Sequence, residues 1–210
     1  MEEKKYDFLE IKNQMEKLVS TLHNEFGWFN EEELRETPRR VAQFYLDWYS
    51  KSSKEFNFTT FPVKGKASLI TIKNLEFASV CGHHILPFTG KISIAYLPWD
   101  EQQHGVYGGI SKFARTVEKF SRKPQTQELM TEEITDFLWS NLGDKNSTIE
   151  RYRHPRFLFV QVSEATHTCT TIRGAEQHHP VMGTNGMRWA DTMTQQEVES
   201  LRQEAMMELK

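Results

Sequence analysis

The chain is poor in the features that mark several large classes of protein. Of its 210 residues only two are cysteines, Cys81 and Cys169, too few for a disulfide-stapled scaffold of the secreted kind. No apolar run approaches the ~20 residues of a membrane span, so no membrane contact is expected. The opening Met1-Glu-Glu-Lys-Lys5 is unlike a secretory leader. The formal net charge is only -3, too small to make nucleic acid or a membrane surface the main partner. Internal repeats, low-complexity tracts and a Gly-rich phosphate loop are all missing. These absences leave a globular, cytoplasmic protein with reduced thiols. At 38% hydrophobic and 26% charged residues, it is long enough to bury a real core.

What the chain does have is a concentration of metal-binding side chains. Ser79-Val-Cys-Gly-His-His-Ile-Leu-Pro-Phe88 puts Cys81, His83 and His84 within four positions. The other cysteine, Cys169, lies in Glu164-Ala-Thr-His-Thr-Cys-Thr-Thr-Ile-Arg-Gly174, two positions after His167. Thiolate and imidazole are preferred zinc ligands, and three protein ligands with an open water position is the catalytic pattern. Adjacent histidines diverge, so Cys81 and His84, a C-x-x-H pair, are expected to bind Zn2+ with Cys169. His83 and His167 then stand beside the metal for proton transfer. A Cys81–Cys169 disulfide is the bland alternative. His178 and His179 form a second pair with no cysteine nearby and are set aside as surface or outer residues.

Around these segments the periodicity is mixed. Phe8, Ile11, Met15, Leu18, Leu22 and Phe26 predict a helix over 6–26, ended near Gly27. A second helix is expected from Thr37-Pro38, with Val41, Phe44, Tyr45 and Trp48 as its buried face. Ser50–Lys66 reads as a connection. Leu69–Val80 and the alternating Lys91–Leu97 predict strands, with the metal motif on their connection. Trp99–Gly109 is a polar loop. Helices are expected around Ile110–Phe120 and Leu129–Leu138, and a strand over Phe157–Val162. Gly174–Gly186 reads as loop, and Thr194-Gln-Gln-Glu197 as a capping box opening a last helix, with Val198, Leu201 and Ala205 inward. The fold class is α+β with an antiparallel sheet. Its regions are an N-terminal helical part (1–50), a catalytic domain (51–190) and a C-terminal helix (191–210).

An ordered series of short motifs resembles the GTP cyclohydrolase I family. It runs through Thr37-Pro38-Arg39-Arg40, Cys81-Gly-His-His84, Leu86-Pro-Phe88, Gly90-Lys91, Ile94-Ala-Tyr96 and Ile110-Ser-Lys112. It continues with Arg115, Arg122-Lys-Pro-Gln-Thr-Gln-Glu128, His167-Thr-Cys169 and Arg173-Gly174. The resemblance implies the tunnelling fold (T-fold), an antiparallel sheet with two helices on one face, here with N-terminal helices added. It implies a homo-oligomer, typically a decamer of two pentamers, with active sites at subunit boundaries. Matched residue by residue, it puts zinc on Cys81, His84 and Cys169 and proton transfer on His83 and His167. Guanine recognition falls on Glu128 beside Gln127, and the triphosphate of GTP on Ser111, Lys112, Arg115 and Arg173. The reaction implied is zinc-dependent opening of guanine at C8 with loss of formate, then closure to 7,8-dihydroneopterin triphosphate.

Three departures stand out. The family usually has glutamate between the cysteine and the first histidine, where this chain has Gly82. The segment Ala175–Trp189 differs from the family's Thr/Ser-rich one, and the loop Trp99–Gly109 is longer than usual. Three other readings therefore stay open on sequence. The chain could be a divergent member acting on another guanine nucleotide or stopping at ring opening. It could be a non-catalytic guanine- or pterin-binding paralogue, or a purely structural zinc protein.

Overall fold

Two neighbouring strands with apolar residues on both faces set the architecture. In Pro87–Leu97 (β3), Ile92, Ile94 and Tyr96 join one core cluster while Ala95 and Leu97 join another. In Phe157–His167 (β6), Leu158, Val160 and Val162 belong to the first and Phe157 and Phe159 to the second. Successive strand residues point to opposite faces, so these two strands are covered on both sides. Each fully buried Ile, Leu or Phe adds about 1.5–3 kcal/mol.

The structure is a computed structural model and describes residues 7–52, 56–172 and 182–209. Among these, Thr60–Pro62 (β1) pairs with Val106–Gly108 (β4) as a small separate ribbon. The main sheet adds Ile70–Cys81 (β2), Pro124–Gln125 (β5) and Met182–Trp189 (β7), in the order β5-β2-β3-β6-β7. All its pairings are antiparallel except the two-residue β2–β5 contact. Helices Ile110–Ser121 (α3) and Gln127–Asn141 (α4) bring Phe113, Val117, Met130, Ile134 and Leu138 to the first core. Helix Gln195–Glu208 (α6) brings Val198 and Ala205 to the second. This is the expected α+β arrangement, with two helices on one face of an antiparallel sheet. No helix among the described residues is long and apolar enough to cross a membrane.

The chain divides into two compact units, Met1–Lys54 and Glu55–Lys210. In the first, Phe8–Phe26 (α1) packs against Glu31–Ser52 (α2). Gly27 closes α1 in the left-handed conformation at φ 67, where glycine carries no Cβ penalty. The second helix starts six residues before Thr37. Asn30 Oδ1 accepts from Glu33 N–H, and Glu33 Oε2 accepts from Asn30 N–H, each at 2.9 Å. That reciprocal cap outranks the Thr37-Pro38 signal, and Pro38 lies inside the helix. The expected buried face of α2 needs correction too: Trp48 is buried, but Phe44 is 54% exposed and stacks along Trp48.

Two further differences bear on the site. β3 begins at Pro87, so Pro87 and Gly90 lie in the strand and not in the connection. A Cβ at Gly90 would sit 2.9 Å from the Phe77 ring and 3.0 Å from Ala165 Cα, so only glycine fits between β2 and β6. Residues 182–186, the described part of the Gly174–Gly186 stretch expected as loop, belong to the edge strand β7, with Thr184 opposite Val162 and Met182 opposite Ala165. The Thr194–Glu197 capping box is present as predicted, with Val198 and Ala205 buried and Leu201 partly so.

Candidate active site

The sheet delivers the two metal-binding segments to one end. β2 finishes at Cys81, and the turn Gly82–Leu86 is closed by Ile85 N–H to Cys81 O at 2.9 Å and Cys81 N–H to Leu86 O at 2.8 Å. Ile85 pays for this tightness with φ 55, an uncommon value for a β-branched residue. On the neighbouring strand, His167 lies opposite Phe88 in register, and the short helix Thr168–Ile172 (α5) turns Cys169 inward. Thr168 Oγ1 donates to the Pro87 carbonyl and ties that turn to β3. From the other side, Cys81 pairs with Gln125 of β5.

The donor atoms of Cys81, His167 and Cys169 lie within 4.8 Å of one another. His84 Nδ1 is 3.7 Å from Cys81 Sγ, and His83 Nδ1 is 4.0 Å from it. Both thiols are buried and free. Burial, with Cys81 alongside, pushes the Cys169 thiol up. Two thiols and an imidazole within reach of one ion make a Cys2His set, which suits zinc. The residues therefore fit the metal that the sequence suggests. His167 is held below its ordinary pKa by burial, opposed by the Glu128 carboxylate.

Glu128 is exposed on the first turn of α4, beside Gln127. Gln127 Oε1 meets His167 Nε2 at 3.0 Å, which brings α4 to the same end as the thiols. The expected triphosphate residues are elsewhere. Ser111 and Lys112 open α3 and Arg115 follows one turn later. This end of α3 is next to β4, where Gly108 N–H donates to Tyr96 Oη at the far end of β3. The other end of α3 leads through β5 to Cys81. At 1.5 Å per residue, Ser111 and Lys112 stand most of this 12-residue helix, and Arg115 about half of it, from the end that leads to Cys81. Arg173, His178 and His179 lie outside the described residues. Thr184 was missed by sequence reasoning, because its contact with Gln127 joins residues 57 positions apart.

An antiparallel sheet backed by two helices, with two thiols and three imidazoles gathered at one end, defines an α+β protein built around a cysteine–histidine centre. The chain belongs to the GTP cyclohydrolase I family, whose model matches residues 11–208. It is 36% identical over 178 residues to GTP cyclohydrolase 1 of Wolinella succinogenes, covering 81% of this chain and 86% of that one. To GTP cyclohydrolase 1 of Streptococcus agalactiae it is 37% identical, covering 70% and 72%. To that of Lysinibacillus sphaericus it is 32% identical, covering 81% and 82%. The fold described above is the family's tunnelling fold.

The atoms nearest to a Cβ at Gly82 would be Gln125 backbone atoms, the first at 3.4 Å. That is ordinary contact, and the backbone there is not left-handed, so the fold does not demand glycine at this position.

Proposed function

We propose that the protein is a cytoplasmic, zinc-dependent GTP cyclohydrolase. It hydrolyses guanine at C8, releases formate and forms 7,8-dihydroneopterin triphosphate. The observation that carries this reading is the convergence of Cys81, Cys169, His83, His84 and His167 on one end of the sheet, with Glu128 beside them. Cys81, His84 and Cys169 hold the metal, which when bound supplies the Lewis acidity that makes water nucleophilic near neutral pH. His83, exposed in the turn, hands a proton to guanine N7 as the C8–N bond breaks. His167, kept neutral by its partial burial, accepts a proton at the ring nitrogen that Gln127 does not engage. The later steps are opening of the ribose, an Amadori rearrangement and ring closure.

Glu128 selects the base. Guanine presents N1–H and N2–H2 side by side, and one carboxylate accepts from both. Ser111, Lys112, Arg115 and Arg173 hold the triphosphate, the first three helped by the N-terminus of α3. Because α3 carries its cations away from the thiols of its own chain, the nucleotide meets them on a neighbouring copy. A homo-oligomer, as in the decamer implied by the family, completes the site.

The test is to incubate zinc-loaded protein with GTP and follow formate and pterin fluorescence separately. Both should rise together. Formate without fluorescence would show that the reaction stops at ring opening, and neither product would leave a binding protein. In the same assay Glu128→Gln faces guanine donors with an amide donor, and kcat/KM should fall by the equivalent of about 2–3 kcal/mol. Undiminished turnover of GTP by that variant would remove Glu128 from base recognition.

A further inference from the structure

Gln127 opens α4 and is 1% exposed, and both ends of its side-chain amide meet protein partners. Oε1 lies 3.0 Å from His167 Nε2. The amide nitrogen donates to Thr184 Oγ1 at 3.1 Å and to the Met182 carbonyl at 3.4 Å. Both partners on that side belong to β7, and they fix which way the amide faces. Turned over, Oε1 would confront the Met182 carbonyl, two acceptors with no proton between them. The hydroxyls beyond keep the same direction. Thr131 Oγ1 donates to the Gln127 carbonyl at 2.8 Å, so the 2.7 Å contact between Thr131 and Thr184 takes its proton from Thr184. Thr184 is then free to accept from Gln127.

An amide oxygen only accepts, so the neutral His167 ring must carry its hydrogen on Nε2 and its lone pair on Nδ1. The ring plane is held independently. Phe88 stacks on it with 4.4 Å between centroids and 3° between planes. One contact acts in the plane and one across it, and together they leave the ring a single pose.

We infer that Gln127, anchored by Thr184 and Met182 of β7, is a positioning residue that fixes the tautomer and pose of His167, and does not read the guanine base. The inference rests on the proton-transfer role proposed for His167, and it gives Gln127 a different part from the substrate contact that the sequence suggests. It also ties the divergent segment 175–189 to the chemistry, because Thr184 lies in it.

The experiment uses zinc-loaded, full-length protein with 15N-labelled histidine, with His167 signals assigned by their loss in His167→Ala. The unaltered protein should show Nε2 protonated and Nδ1 bare. In Gln127→Met that distinction should blur toward a mixture, while zinc per chain is retained. Its kcat should fall roughly 10- to 100-fold, with KM for GTP close to the unaltered value. Thr184→Val keeps its shape and loses only the hydroxyl, so it should move both readouts the same way and less far. If Gln127→Met does not fold, Thr184→Val decides on the same nitrogens. Unmoved His167 signals, or a raised KM with unchanged kcat, would overturn the inference. Full turnover by His167→Ala would instead bring down the proton-transfer reading, and the nitrogen signals would still report whether Gln127 orients the ring.

Discussion

Cys169→Ala, purified and dialysed against zinc, should carry close to none of it, against about one ion per chain in the unaltered protein. GTP turnover should fall to background. The expectation is this large because the cluster has few substitutes. Cys81 and Cys169 are the only cysteines in the chain, and each is buried. Removing one leaves a single thiol and imidazoles, a set with less soft-donor character. The fold should survive, since Cys169 sits on a five-residue helix at the rim and the sheet is carried by β3 and β6. Circular dichroism and zinc analysis on the same sample separate the two effects. A folded Cys169→Ala protein that keeps its zinc would defeat the ligand assignment.

His167→Ala should do the reverse, retaining about one zinc per chain while losing roughly 10²–10⁴ of its turnover, the range of a positioned acid–base group. The geometry makes this a sharp test. His167 lies within 4.8 Å of both thiols, near enough to compete with His84, whose Nδ1 is 3.7 Å from Cys81 Sγ. The bond between Nε2 and Gln127 orients the ring and leaves Nδ1 unengaged by Gln127, an arrangement that metal-bound histidines also show, so zinc retention decides between the two roles. Loss of zinc from His167→Ala, with zinc retained in His84→Ala, would exchange the two roles.

Much of this site was legible in the sequence because its chemistry is local. The spacing of Cys81, His83 and His84 survives folding almost unaltered, since a tight turn keeps them together. The alternation in Lys91–Leu97 and the capping box at Thr194 each report a structure within a few residues. What escaped was set by distant partners. Residues 182–189 carry a weak strand signal, and only pairing with β6 makes them a strand. Phe44 has helical spacing with Trp48, yet periodicity does not say which side of an apolar face is covered, and Phe44 remains exposed. The start of α2 was a different failure. Asn30-Glu-Glu-Glu33 is a readable cap, overlooked beside the more conspicuous Thr37-Pro38. Gly82 stays without a structural reason, as neither space nor backbone conformation requires it.

The separation of the two ends of α3 has a genetic consequence. If the thiols of one copy work with Arg115 of the next, each chain contributes halves of two different sites. Two dead alleles could then rescue one another. Cys169→Ala spoils only the metal half and Arg115→Ala only the cation half, so random co-assembly of equal amounts should rebuild about a quarter of the sites intact. A site confined to a single chain would yield no such recovery at any mixing ratio. The length of one helix thus decides whether two broken copies of this gene are worth more together than apart.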